Sequence, residues 1–470
     1  MRGATGSLDH GASGLPGAPA LITMRHRPHA RLLLIVDRLR ATYWFLPAVM
    51  ALSGFVAATI LGWIDMARTD GAVLGALVTD QPEAARTVLS ALASSIITVA
   101  GVTFSMTVVA VSFAGAQFGP RLVGNFMRDR GNQITLGMFI ATFVFCLAVL
   151  RQVRDVPPFV PRIALLVALG LTLACVAVLI YFIHHVPETI NVGNITCDLG
   201  QQLRRGLDHL FPESADDRPR GRVGDAGDVD AAPERAEPDA RILSPIDGFV
   251  MTIDVDNLVD TARRHDLFVR VVARPGRFVI GGDVLLHVHG SHGTDERVRD
   301  ELLRCLAFGR ERSTQQDRLF LVDELVEILA RALSPGVNDP FTAIACIRWL
   351  GVALVRMGER DDPGSVRRDA DGIVRVAACG LTYAELVGAA LEQSTPYVSA
   401  DRNASLALMR MIGHVLTRTS DEGRRRVLRT HATALLEAAE QRLPISADRR
   451  AVAAVHRELV ADTDAQRRAS

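Results

Sequence analysis

Apolar and polar positions divide the chain into two regions with different periodicity. Before residue 185 there are four long apolar runs with few charges, and after residue 240 apolar residues recur at the short spacings of strands and amphipathic helices. An uncharged run of about 20 residues is long enough to cross a bilayer core of roughly 30 Å. The pattern therefore predicts a mostly α-helical integral membrane protein with four transmembrane helices and a cytosolic α+β domain.

The second apolar run, residues 87–120, contains no Asp, Glu, Arg or Lys. On a helical wheel with about 100° per residue, its hydroxyl and glycine positions fall in one narrow stripe. The stripe contains Ser90, Ser94, Thr98, Gly101, Ser105 and Ser112. Because a hydroxyl without a partner is costly in hydrocarbon, we expect this stripe to face something other than lipid. It either packs helices closely through small residues or, with several copies around one axis, lines a polar conduit.

Changes in composition place the domain boundaries. Residues 212–240 are acidic, rich in Pro and Gly and almost free of large apolar side chains, which is typical of a disordered linker. The predicted order is a basic, partly disordered N-terminal tail (1–40), a four-helix transmembrane domain (41–185), a helical neck (186–211), the acidic linker (212–240), a small β module (241–294) and a cytosolic helical bundle (295–470).

The β module is predicted from short alternating apolar runs. Asp-Gly, Pro-Gly and Gly-Gly pairs divide residues 242–288 into pieces of strand length, and such pairs are turn signals. The spacing resembles the barrel-sandwich folds that carry lipoyl or biotinyl groups, although this chain has no lysine to carry either group.

Three histidines at the end of the β module, His287, His289 and His292, are a weak candidate metal site. Residues i and i+2 of a strand point to the same face, and imidazoles are common zinc ligands. Only Asp295 and Glu296 could add carboxylates nearby. An exposed strand end is the simpler interpretation, and no cofactor is predicted.

After residue 295, apolar positions follow helical spacing. Asp339 before Pro340 is a typical helix start, because the carboxylate accepts backbone N–H bonds and proline suits the first helical position. Helices are predicted at 316–333, 340–357, 381–393, 403–419, 422–442 and 447–461.

All 52 basic residues are arginine, and the formal net charge is zero. The absence of lysine excludes a P-loop, a pyridoxal phosphate Schiff base and a biotinyl or lipoyl carrier. The balanced charge, with no basic patch among aromatic residues, argues against nucleic acid as a partner. We expect membrane lipid, further copies of the chain and a small ion or solute instead.

A polar cluster in the C-terminal region is a second candidate site. It combines arginines with groups that could hold an anionic ligand, and its members are Arg310, Arg312, Thr314, Asp317, Asn338 and Asp339. No nucleophile with an adjacent base and no Gly-rich phosphate loop accompanies it. Helix caps and a salt-bridged turn explain the same residues, and we predict that the protein is not an enzyme.

Arginines that flank the apolar runs predict the orientation. The N-terminal segment and the loop after the second run are basic, so the positive-inside rule keeps both in the cytoplasm. Arg151, Arg154 and Arg162 oppose this assignment because they fall on the outer side. We expect a multi-pass protein of the bacterial inner membrane with its N- and C-termini in the cytoplasm.

Two stretches resemble a known family. They are VAGVTFSMTVVAVSFAGAQFGPRLVGNFMRDRGNQITLGMFIATFVFCLAVLRQVR (residues 99–154) and RSTQQDRLFLVDELVEILARALSPGVNDPFTAI (residues 312–344). From about Arg38 onward the chain resembles the bacterial predicted membrane protein family called domain of unknown function 2254. The resemblance implies a four-helix membrane region with a cytosolic domain, and it implies no activity.

The striped second run favours a homo-oligomeric channel or transporter-like protein with a cytosolic regulatory domain. Two other classes remain open. One is a membrane-anchored scaffold or sensor that binds a cytosolic partner, and the other is a membrane-anchored enzyme that acts on an anionic substrate.

Overall fold

The computed structural model describes residues 44–67, 81–118, 129–210, 223–224, 237–290, 295–360, 366–378 and 380–469. The predicted N-terminal tail, most of the predicted acidic linker and His292 lie outside these residues. Within them the protein is mostly helical, with a β-sheet region in its C-terminal part.

Four apolar helices come first. They are α1 (Phe45–Ala67), α2 (Pro82–Phe118), α3 (Arg130–Leu150) and α4 (Arg162–Ile190), and a short hairpin of β1 (Arg154–Asp155) and β2 (Pro158–Phe159) joins the last two. α3 and α4 each contact the other three helices, and the most extensive contacts are those of α3 with α1 and α2. All four are long and apolar enough to cross a membrane, and among the described residues one more helix, Pro340–Gly358, also meets that criterion.

Glycines bring α1 and α3 close together. A Cβ on Gly54 of α1 would lie 2.6 Å from the carbonyl oxygen of Ala141, and a Cβ on Gly137 of α3 would lie 2.5 Å from the Met50 sulfur. Both distances are too short for a real Cβ contact. At Gly54 the obstacle is backbone, so the helices would have to shift, whereas at Gly137 the Met50 side chain could move aside. Small residues therefore set the approach of these two helices, as is common in membranes.

Further helices build the C-terminal part. They are α5 (Val192–Leu210), α6 (Val255–Arg264), α7 (Glu296–Leu303), α8 (Leu319–Ala332), α9 (Pro340–Gly358), α10 (Tyr383–Val387), α11 (Thr395–Val398), α12 (Arg402–Arg418), α13 (Glu422–Arg442) and α14 (Ser446–Ala469). α5 packs against α8 and α9, and α9 packs against α12. Leu199, Leu203 and Leu207 of α5 are at most 1% exposed and join the core of this bundle.

Two sheets complete the C-terminal part. Their strands are β3 (Val223–Gly224), β4 (Ala240–Leu243), β5 (Gly248–Ile253), β6 (Phe268–Val271), β7 (Phe278–Val279), β8 (Val284–His289), β9 (Leu306–Gly309), β10 (Val366–Arg368) and β11 (Val374–Ala378). The six-stranded sheet has the order β3-β10-β11-β6-β8-β4, and the three-stranded sheet has the order β7-β5-β9. β11 and β6 are parallel, and the other pairs are antiparallel.

Part of this β region is not predicted from the sequence. β9, β10 and β11 lie after residue 295, where only helices are predicted, and α6 lies inside the predicted β module. These strands are short, and β11 pairs with β6 through Val376 and Val269, which are distant in sequence. Local periodicity carries little information about such a pairing. The barrel-sandwich expectation is not confirmed, because strands from both segments form one mixed sheet.

Asp339 starts α9 as predicted. Its carboxylate accepts N–H bonds from Phe341 at 3.1 Å and from Thr342 at 3.2 Å. The Thr342 hydroxyl, together with these N–H groups, holds the pKa of Asp339 below its ordinary value of 3.8. Because folding lowers the pKa, the cap stabilises the fold at neutral pH, and this stabilisation is lost as the pH falls below 3.8 through the lowered value.

We expect Asp339→Ala to lower the free energy of unfolding by about 1 kcal/mol, because the N–H groups lose their acceptor. Asp339→Asn keeps an acceptor oxygen and should lose less. Urea denaturation of both variants beside the wild type measures the difference. Equal losses in the two variants would show that the charge stabilises the helix and the hydrogen bonds do not.

Candidate functional site

The hydroxyl stripe of α2 faces away from the described helices that α2 packs against. Ser90, Ser94, Thr98, Gly101, Ser105 and Ser112 are all exposed. The packed face of α2 runs through Ala85, Leu89, Ala93, Ile96, Ala100, Thr103 and Thr107, each at most 5% exposed. At about 100° per residue the centre of the stripe lies about 145° from the centre of that face. The stripe therefore takes no part in the packing of α2 against the other described helices.

Hydroxyls in the stripe find acceptors inside their own helix. Ser94 donates to the carbonyl of Ser90 at 2.8 Å, and Thr98 donates to the carbonyl of Ser94 at 2.7 Å. Such back-bonding satisfies the hydroxyl without a second helix. Our premise that unpaired hydroxyls force the stripe away from lipid is therefore weaker than the sequence suggests, and the direction of the stripe carries more weight than its composition.

A buried polar layer lies at one end of the four apolar helices. α2 and α3 run antiparallel. Ala85 of α2 clusters with Val149 of α3 at one level, and Ala100 of α2 clusters with Phe139 of α3 at another. Continuing along both helices, Thr103 and Thr107 reach the level of Thr135 and Asn132, and all four are at most 5% exposed.

Two of these side chains have unsatisfied polar atoms. Both amide atoms of Asn132 and the hydroxyl of Thr135 are buried and have no hydrogen-bond partner within the described residues. Leaving a buried polar group unpaired costs about 1–3 kcal/mol. Asn132 lies in the first turn of α3. The N-cap Asp129 accepts the Asn132 backbone N–H at 2.9 Å and also bonds His185 of α4 at 2.8 Å. A helix start linked to α4 thus lies beside this polar layer.

The predicted anion site is only partly assembled. Arg312 donates to Asp317 at 2.6 Å and also pairs with Asp323, and its guanidinium lies 5.1 Å from the centre of the Phe320 ring. Burial lowers the pKa of Arg312, but the two carboxylates outweigh burial and raise it. With its charge balanced by two acids, Arg312 is poorly suited to bind a further anion.

The other predicted members serve as turns and caps. Thr314 offers its carbonyl to Arg318 at 2.7 Å, and Arg310 is exposed. Asn338, at φ +48°, and the N-cap Asp339 come after α8, whereas Arg312 comes before it. Arg312 pairs with Asp323 inside α8, and the helix from Asp323 to its end at Ala332, about 14 Å, separates the two groups. The structure therefore does not bring the six residues together.

The histidines of β8 lie among arginines. His287 is opposite Arg241 of β4 and Arg270 of β6. Burial, followed by Arg241, His289 and Arg270, lowers the pKa of His287. Positive neighbours disfavour a bound cation as well as a protonated imidazole.

A family described as "Predicted membrane protein (DUF2254)" matches residues 40–414. The chain belongs to this family. Uncharacterised proteins of Mycobacterium bovis and Mycobacterium tuberculosis are 29% identical to it over 425 residues, which are 88% of this chain and 79% of theirs. No solved structure matches.

In this DUF2254 protein the buried polar layer is the feature that is not recognised from the sequence. Its signal is visible in hindsight, because Thr103 and Thr107 are four residues apart on the face of α2 opposite the stripe, and Asn132 and Thr135 open the third apolar run. The polar layer and the stripe therefore occupy opposite faces of α2.

Proposed function

We propose that the protein is a homo-oligomeric channel or transporter-like protein in which several copies of α2 turn their stripes toward a common axis. The observation that carries the proposal is the direction of the stripe. It points away from a subunit whose close helix contacts are already made by other glycines, such as Gly54 and Gly137. Gly101 in the stripe has no atom within 4 Å of the place where a Cβ would lie, which leaves room for a second copy.

In this proposal α1 to α4 cross the bacterial inner membrane, and both termini are cytoplasmic. α9 is apolar enough to be a fifth span, but Cys346, Leu350 and Leu354 lie in the core of the C-terminal bundle. Arg348 and Arg356 also interrupt α9, and charges are costly in the bilayer. Four crossings therefore fit the packing better than five.

The C-terminal part would regulate the conduit. α8 contacts both α2 and α9, so a change in the bundle has a direct route to the striped helix. The proposal needs membrane lipid, further copies of the chain and a small ion or solute. It includes no nucleic acid, cofactor or catalytic step.

Flux through liposomes tests the proposal. Replacing Ser94, Thr98 and Ser105 together with leucine should reduce the flux of small ions by roughly tenfold or more, because an apolar constriction excludes water. Ser95 is a matched control, since it is exposed on the same helix but lies outside the stripe. Ser95→Leu should leave the flux unchanged.

Cross-linking separates a conduit from simple packing between subunits. Thr98→Cys should form a disulfide between subunits in both cases, because both place stripes near one another. If the Thr98→Cys variant cross-links between subunits but the wild-type protein passes no ion or solute, the conduit is contradicted. Equal flux in the triple variant and in Ser95→Leu would do the same.

A further inference from the structure

A groove between α9 and α12 carries an inference that does not depend on transport. Its volume is about 770 Å³, within the range of small-molecule sites. Ile344, Val352 and Val355 of α9 and Leu406 and Met411 of α12 line it with apolar surface. α9 and α12 can lie close together because a Cβ on Gly351 would be only 2.6 Å from the Met411 side chain.

Arginines edge this apolar groove. Arg348 and Arg356 come from α9, and Arg402 and Arg410 come from α12. Arg402 is paired with Asp448 at 2.9 Å. The other three guanidinium groups make no hydrogen bond or ion pair within the part of the chain that the structure describes, and no Asp or Glu is among the described residues that line the groove.

The spacing of these residues gives the groove its character. Ile344, Arg348, Val352 and Arg356 follow one another at i, i+4 along α9, and Leu406 and Arg410 do so along α12. Residues at this spacing share one helix face. Each wall thus carries apolar side chains and arginines on one face, and long arginine side chains can lie along apolar surface while their charged ends stay in water.

One end of the groove lies toward the apolar helices. α9 runs beside α5 in the same direction, since Trp349 meets Gly200 and Arg360 pairs with Asp208 at 2.9 Å. Eight residues before Trp349 is Phe341, at the groove's end, and eight residues before Gly200 is Val192, which begins α5 directly after α4. Phe341 is 78% exposed, so an apolar side chain is displayed at the end nearest the membrane.

We propose that this groove binds a membrane-derived amphiphile with one long alkyl chain and a phosphate headgroup, of the lysophospholipid class. The alkyl chain of the ligand would lie along the apolar side chains of the groove, and the unpaired arginines would hold its phosphate through charge-assisted hydrogen bonds. An acidic amphipathic helix would have similar chemistry. However, the end of the groove beside the exposed Phe341 lies toward the apolar helices, which favours an occupant that comes from the membrane.

Binding to the full-length protein in a non-ionic detergent tests the proposal, with native mass spectrometry as the readout. Lysophosphatidylglycerol with a 16-carbon chain should bind one per subunit. Neutral monopalmitoylglycerol, which has the same chain but no phosphate, should bind at least about tenfold more weakly. Inorganic phosphate, which has no chain, should not compete at millimolar concentration.

Arginine variants locate the site. The double variant Arg348→Gln/Arg410→Gln keeps the apolar stems and should weaken lysophosphatidylglycerol binding by about tenfold or more. Arg426→Gln is the matched control, because Arg426 is exposed on α13 and lies outside the groove, and it should bind like the wild type. Equal elution of the variants on size exclusion confirms that each is folded.

Three results would overturn the proposal. If monopalmitoylglycerol binds as tightly as lysophosphatidylglycerol, the groove is only an apolar surface. Competition by inorganic phosphate would show a site for free anions. Unchanged binding by a folded Arg348→Gln/Arg410→Gln variant would place the lipid elsewhere, for example on another copy of the chain or at the surface of the apolar helices.

Discussion

Replacing Arg312 with methionine should lower the free energy of unfolding of the C-terminal part by about 3–5 kcal/mol, because two acidic side chains lose their counter-charge. Asp317 is only 5% exposed and bonds Arg312 at 2.6 Å, while Asp323 pairs with the same guanidinium. Methionine keeps the length of the stem but supplies no donor. The Asp317 carboxylate would then stay buried with only the Phe320 N–H at 3.2 Å among its described bonds.

Tryptophan fluorescence during urea denaturation measures this loss. Trp349 packs against α5 at Gly200, and Trp44 and Trp63 lie in α1 or just before it, so Trp44→Phe/Trp63→Phe leaves one reporter in the bundle. Arg310→Met is the matched control, since Arg310 is exposed and should change the free energy by less than about 0.5 kcal/mol. A similar midpoint for Arg312→Met and Arg310→Met would show that the ion pairs add no stability.

The double variant Arg312→Met/Asp317→Asn refines this experiment. Asparagine removes the buried charge while it keeps an acceptor for the Phe320 N–H. The double variant should therefore recover part of the stability that Arg312→Met loses, because the two residues are coupled and their effects are not additive. Additive losses would mean that each residue acts through other contacts.

The helices were predictable where strong local signals mark their ends. α13 spans Glu422–Arg442, as the sequence predicts, because Asp421 caps it by accepting the Arg424 N–H at 2.7 Å. α9 begins at Pro340 for the same reason, with Asp339 as its cap. In both cases a few neighbouring residues determine the boundary, so no knowledge of the tertiary fold is needed.

The sheet and the sites depend on residues far apart in sequence. β3 adds to the six-stranded sheet from within the predicted linker by pairing with β10, more than 140 residues later, and no local pattern indicates this partner. Similarly, a helical wheel reveals the stripe of α2 but not the direction in which it points, since that depends on which face α3 covers. The six residues of the predicted anion site share suitable chemistry, yet α8 holds them apart.

Replacing Gly54 with valine should lower the stability of the apolar helices by about 1–3 kcal/mol, whereas Gly101→Val should not. At Gly54 the first atoms that a Cβ would meet belong to the backbone of Ala141, at 2.6 and 3.2 Å, and a backbone cannot rotate aside as a side chain can. At Gly101 no atom lies within 4 Å. Valine is also no worse than glycine as a helix former, so the difference between the variants reports the contact.

The two variants are compared by heating the detergent-solubilised protein. The fraction that still elutes as folded protein on size exclusion is then measured. We expect the folded fraction of Gly54→Val to fall at a lower temperature than that of the wild type. The folded fraction of Gly101→Val should fall at the same temperature as that of the wild type. Gly101→Val should nevertheless reduce liposome flux, because its side chain enters the proposed conduit. Normal stability with normal flux at Gly101 would place the stripe against lipid, and the back-bonded hydroxyls of Ser94 and Thr98 would then be enough to explain its composition.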